Sequence, residues 1–130
     1  MHTLNALGAA DYPFERIVAE GCASSLPEFW KHYPFANAVL RVGSVVAPES
    51  ERRLRPVLAM TRLPAEVRVL LVHSQGDRWT PTDHGDRLAA AVPAGRRVER
   101  LTLTKADHTH GMRDEREAYW PAVQEFLTAA

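Results

Sequence analysis

Val67-Arg68-Val69-Leu70-Leu71-Val72-His73, running on into Ser74-Gln75-Gly76-Asp77, is the stretch that decides the fold. It is rich in β-branched residues and nearly continuous in apolar character. Pro64 bounds it on one side and the turn pair Gly76-Asp77 on the other. A strand with one solvated face alternates apolar and polar residues, whereas a strand covered on both faces does not. The reading is a buried strand near 67–73 within a parallel sheet. Outward from it, Thr82 to Val92 carries Leu88, Ala89 and Val92 on one helical face. Val98, Leu101 and Leu103 mark another strand near 98–103. Tyr119, Val123, Phe126 and Leu127 recur at helical spacing within Ala118 to Leu127. On the N-terminal side, Ile17-Val18-Ala19 reads as a short strand near 16–20, ended by Glu20-Gly21. Strands and helices alternate, which predicts an α/β fold of about three parallel strands flanked by helices.

The intervening segment is less determinate. Ser24-Ser25 before Leu26-Pro27-Glu28-Phe29-Trp30 is a helix-start signal. Val39 to Val46 suits helix or extended chain equally. Pro48 to Met60 begins as a helix that Pro56 must disturb. Thr3 to Ala10 suits a helix, broken by Asp11-Tyr12-Pro13.

The 130 residues amount to one domain, with no repeat or linker. Sixteen basic and sixteen acidic side chains cancel, which leaves no electrostatic footprint for nucleic acid or an anionic membrane. Arg52, Arg53 and Arg55, beside Glu49 and Glu51, read as a solvated helix face. The one cysteine, Cys22, allows no internal disulfide and reads as a small buried residue. No stretch approaches the ~20 apolar residues of a membrane span, and Met1 to Ala10 lacks a charged leader. The expectation is a cytoplasmic protein.

In open α/β sheets, function sits just past the carboxyl ends of the strands. That rule selects Glu20 to Ser25, Ser74 to Thr80 and Lys105 to Met112. The first of these lies in Arg16-Ile17-Val18-Ala19-Glu20-Gly21-Cys22-Ala23-Ser24-Ser25-Leu26, the second in His73-Ser74-Gln75-Gly76-Asp77-Arg78-Trp79-Thr80-Pro81, and the third in Lys105-Ala106-Asp107-His108-Thr109-His110-Gly111. In order and separation, they resemble the strand after the nucleophile helix, the acid loop and the histidine loop of α/β-hydrolases. The closest branches are serine-aminopeptidase-like and esterase-like. The resemblance covers nearly all of the chain but only the C-terminal half of that fold, so residues 1–130 would form a single partial domain. Residues 22–60 would be its lid or pocket wall.

The resemblance implies roles. A serine hydroxyl is a weak nucleophile until an imidazole takes its proton, and a carboxylate orients that imidazole. Chain order in this fold is nucleophile, acid, histidine. Asp77 and His108 fill the last two places, with His110 the alternative base. Trp79, just beyond the acid, is a candidate substrate contact or a packed aromatic. Glu20 is a candidate hydrogen-bonding support, and His84 reads as a surface residue. Asp107, His108 and His110 are suitable ligand types for a metal. No further ligand cluster has characteristic spacing, so neither a metal nor a cofactor is expected.

The departure from the pattern is the nucleophile. Ser24, Ser25, Ser44, Ser50 and Ser74 all lack a glycine two residues before them, so Gly-x-Ser-x-Gly is absent. The resemblance would place that elbow at or before Met1. Two functions stay open. The chain is part of a serine hydrolase acting on esters, thioesters or amides, with a small acyl compound as substrate. Alternatively it is an inactive half-domain serving as an interaction module. A homodimer or a complementing N-terminal half is the expected protein partner. A nucleotide-binding module is weaker still, since no glycine-rich phosphate loop is present.

Overall fold

Why the segment around Val69 is apolar on both faces is visible in the computed structural model, which describes residues 14–30, 33–53 and 55–129. Strand β2 (Arg68–Ser74) lies between β1 (Arg16–Glu20) and β3 (Arg97–Leu103) in a sheet of order β1-β2-β3. Both pairings are parallel: Ile17 lies opposite Val69, and Val72 opposite Leu101. Side chains alternate faces along a strand. Val69 and Leu71 therefore join Ile17, Ala19, Met60, Leu63 and Leu88 on one face. Leu70 and Val72 join Leu103, Ala106, Val123 and Phe126 on the other. Cutting fully buried Leu71 back to alanine costs about 2–5 kcal/mol in sites of this kind.

The edge strand β3 is unlike β2. Arg97, Glu99 and Arg100 are exposed on it, and such charges discourage pairing with a further strand. Arg68 pairs with Glu99 at 2.8 Å and Arg100 with Asp86.

Among the described residues, four helices separate β1 from β2: α1 (Leu26–Phe29), α2 (Pro34–Val46), α3 (Pro48–Arg53) and α4 (Pro56–Met60). Val39 to Val46, open to two readings, is helical. Pro56 starts a new helix, and the residue before it, Arg55, is extended, as the clash with a proline ring requires. Of the charged run expected to face solvent, Glu49 and Arg52 are exposed and paired at 3.3 Å, whereas Arg55 is half-buried. Helix α2 buries none of its residues, and Phe35, Val39, Val42, Val45 and Val46 are exposed.

After β2 comes α5 (Thr82–Ala90), and after β3 come α6 (Gly111–Asp114) and α7 (Arg116–Thr128). Val123 and Phe126 of α7 are buried, but Leu127 is exposed despite its helical spacing. The helix expected over Thr3 to Ala10 lies outside the described residues. Among the described residues, no helix is long and apolar enough to cross a membrane.

Candidate active site

The loop after β2 is built around one carboxylate. Asp77 is 3% exposed. Its Oδ1 accepts the backbone N–H of Trp79 at 2.8 Å and of Thr80 at 2.9 Å, an Asx-type turn that the residue makes with its own chain. Its Oδ2 accepts the Thr80 hydroxyl at 2.6 Å.

The same Oδ2 lies 2.8 Å from Nδ1 of His108, in the loop after β3. The Thr80 hydroxyl stands 3.1 Å from that nitrogen as well. Burial alone would raise the Asp77 carboxyl, but the bonds from Thr80, His108 and Trp79 outweigh it and hold the group below the usual carboxylate range. An ionised carboxylate at Nδ1 places the ring proton there and leaves Nε2, on the opposite edge, as the basic nitrogen.

Two glycines make the meeting possible. Gly21, just past β1, has φ +59, and a Cβ there would lie 3.0 Å from His108 Cε1 and 3.1 Å from Nδ1. Gly76 lies so close to the histidine loop that its Cβ would stand 2.6 Å from the Lys105 carbonyl oxygen. The three loops expected to carry function therefore converge.

The remaining candidates fall into distinct places. His110 caps the start of α6, and its Nδ1 is buried without a hydrogen-bond partner. Trp79 is half-buried and stacks on Tyr33, with ring centroids 5.5 Å apart and planes 8° from parallel. Phe29 lies 6.4 Å from Trp79 and 6.1 Å from the His108 ring. Glu20 accepts the Gly111 N–H at 2.7 Å, joining the end of β1 to α6. Burial first, and the Glu20 charge second, push the Tyr119 phenol up to about 12. Cys22 is buried, and burial raises its thiol.

His84 corrects the sequence reading. It is 1% exposed, not a surface residue. Its Nδ1 accepts the Ser24 N–H at 3.0 Å and lies 2.9 Å from the Ser24 hydroxyl. The first turn of α5 passes beneath the loop after β1, whose backbone needs an acceptor that water cannot supply. His73 acts alongside it, with Nε2 3.0 Å from the Cys22 carbonyl oxygen. Among the described residues, no group of three or more His, Cys, Asp or Glu is placed to hold a metal ion.

Sequence reasoning missed Thr80, Gly21 and His84 as parts of this arrangement. Thr80 had a signal, since an aspartate three residues before a threonine can accept from it locally. Gly21 and His84 had none, because their partners lie 87 and 60 residues away in the chain.

Parallel strands, helices on both faces and a carboxylate–imidazole pair at neighbouring strand ends define the class: the fold is a partial α/β-hydrolase fold. Solved structures bear this out. An acylaminoacyl peptidase, in complex with a peptide chloromethyl ketone, superposes over 97% of this chain with a TM-score of 0.70 at 22% identity. A Pyrococcus furiosus esterase superposes over 95% with a TM-score of 0.69 at 18% identity. A puromycin-hydrolyzing peptidase of Mycobacterium tuberculosis covers 82% with a TM-score of 0.62 at 23% identity. The chain spans 21%, 47% and 16% of those proteins' own lengths. No family model and no curated protein matches the sequence.

Proposed function

We propose that this chain supplies the acid and the base of a serine hydrolase that cleaves ester, thioester or amide bonds. The observation that carries the reading is the 2.8 Å approach of Asp77 Oδ2 to His108 Nδ1 at the ends of β2 and β3. Its similarity to two peptidases and an esterase, proteins whose names describe amide and ester cleavage, supports the same chemistry.

His108 Nε2 takes the proton of a serine hydroxyl as its oxygen bonds to the substrate's carbonyl carbon. Asp77 stays ionised and stabilises the imidazolium. The proton then passes to the departing alcohol, thiol or amine as the carbonyl–heteroatom bond breaks. Water repeats the sequence on the acyl-enzyme.

The serine comes from sequence outside these 130 residues. Ser24 lies against His84, Ser74 accepts the Gly76 N–H at 3.1 Å, and Ser44 donates to the Arg41 carbonyl at 2.7 Å. The complementing segment pairs along β1, whose second edge is unpaired among the described residues. Residues 22–60 form the pocket wall, and Phe29, Tyr33 and Trp79 receive an apolar group of a small acyl substrate. The single, buried Cys22 suits a reducing, cytoplasmic setting.

The exposed apolar residues of α2 favour a second reading, an inactive half-domain that binds a partner or dimerises. Fluorophosphonate labelling separates the two. The 130-residue chain alone is expected to remain unlabelled. A longer polypeptide or an added chain carrying the upstream half is expected to label. His108→Ala is expected to cut turnover of that assembly by on the order of 10³-fold or more, since triad members act as a unit. Labelling of the short chain would place the nucleophile within it, and indifference to His108→Ala would leave the interaction module.

A further inference from the structure

The chain between β3 and α6 has a backbone problem. After Leu103 the sheet ladder ends, and Thr104, Lys105, Ala106 and Asp107 bring four consecutive N–H groups into a turn with no ladder to receive them. Three of the four converge on one side chain. Glu115 Oε1 accepts Ala106 N–H at 2.7 Å, Lys105 N–H at 2.8 Å and Thr104 N–H at 3.0 Å. Its Oε2 accepts the Thr104 hydroxyl at 2.7 Å. The fourth N–H, of Asp107, reaches Asp114 at 3.3 Å. Next in line, the His108 N–H is taken by Asp107 Oδ1 at 2.8 Å.

A carboxylate that receives this many donors is held in its charged form. The Lys105 N–H is the largest influence, and with the Thr104 and Ala106 donors it overcomes the effect of burial and brings Glu115 down to about 2. Glu115 is also where the helices meet. Its own N–H donates to the Gly111 carbonyl at 2.9 Å, and its carbonyl accepts the Tyr119 N–H at 2.9 Å, opening α7. Helix α7 is anchored through buried Val123 and Phe126.

We infer that Glu115 is the positioning residue for His108, fixing the histidine loop onto α7 so that Nδ1 meets Asp77. This rests on the proposed role of the Asp77–His108 pair. Glu115 touches neither partner. It acts through Ala106, two residues before His108, whose side chain is wholly buried. Loss of the carboxylate leaves three N–H groups without their shared acceptor, and the loop is released from α7 as water takes its place, the part-buried Ala106 N–H being the one that must move to reach it. That movement shifts His108 relative to an acid that its own turn holds still.

The test is NMR on the full 130-residue chain with isotopically labelled histidine. In the wild type, a downfield Nδ1–H resonance of His108 and the matching nitrogen shifts report the bond to Asp77, and Asp77→Asn must abolish them. Failure of that control would count against the proposed function itself. With the control satisfied, Glu115→Ala is expected to lose the downfield resonance and mix the two His108 tautomers while the other histidines keep their shifts. Glu115→Gln, equal in shape and able to accept but uncharged, is expected to retain it in weakened form and guards against a failure of Glu115→Ala to fold. An unchanged His108 resonance in either folded variant would overturn the inference.

Discussion

The loops that follow β2 and β3 meet over the sheet edge, yet they are built on opposite principles. The acid loop is self-contained: Asp77 receives Trp79 and Thr80 from two and three residues away. The histidine loop draws much of its support from elsewhere. Asp107 serves the His108 and His110 N–H groups locally, but the rest of the backbone is held by Asp114 of α6, by Glu115 at the junction with α7 and by Glu20 of β1. One side of the pair is therefore a local turn, and the other is a segment suspended from its surroundings. Substitutions in the first should act sharply and locally, and those in the second through geometry.

The largest expected effect is at Asp77 itself. Asp77→Ala removes the acceptor of the Thr80 hydroxyl and two N–H groups and strips His108 of its partner. Stability should fall by about 3–5 kcal/mol as read by urea unfolding, since each donor of Thr80 and Trp79 left without its acceptor costs about 1–3 kcal/mol. A loss under about 1 kcal/mol would show that water replaces the carboxylate and that the turn is not held by it.

Gly76→Ala attacks the boundary between the loops. Its Cβ would stand 2.6 Å from the Lys105 carbonyl oxygen, which is backbone and cannot swing aside. About 2–3 kcal/mol should be lost, with chemical-shift changes spread through residues 104–111. Changes confined to residues 74–80 would mean that the loops are not in contact.

Smaller effects sharpen the contrast further. His84→Leu is close in volume but leaves the buried Ser24 N–H unpaired, and should cost about 1–3 kcal/mol in a thermal melt. Thr80→Val is nearly isosteric and removes only the hydroxyl between Asp77 Oδ2 and His108 Nδ1. It should cost about 1 kcal/mol and leave the downfield His108 resonance in place.

Acid separates the groups by their starting points. Burial chiefly, against the bond to Cys22, lowers His73, so its neutral form is the folded one. The unfolded chain takes up that proton first, and stability therefore falls as pH drops below the ordinary histidine value near 6.5. Glu115 is shifted down from 4.5 to about 2, so its contribution persists to pH 4.5 and is lost between there and 2. Melting temperature against pH should show both stages, and His73→Gln should flatten only the upper one.

By itself, the sequence determined the sheet. Nearly continuous, β-branched apolarity over Val67 to His73, bounded by Pro64 and Gly76-Asp77, reads as a strand buried on both faces, and the helical spacing of Tyr119, Val123 and Phe126 reads as a helix over one of them. The turn at Asp77 was also readable, because it is made with its immediate neighbours and the Gly-Asp pair announces it. Glu115, Gly21, His84 and the exposed face of α2 carried no such sign. A glutamate at the junction of two helices looks like a solvated charge until a loop eleven residues earlier folds onto it. A histidine among the polar residues of α5 looks like surface until the Cys22–Ser24 backbone crosses above it. Only tertiary structure decided these, for one physical reason. A local pattern encodes which face of an element is apolar, but where an unpaired backbone N–H ends up depends on which distant segment passes over it.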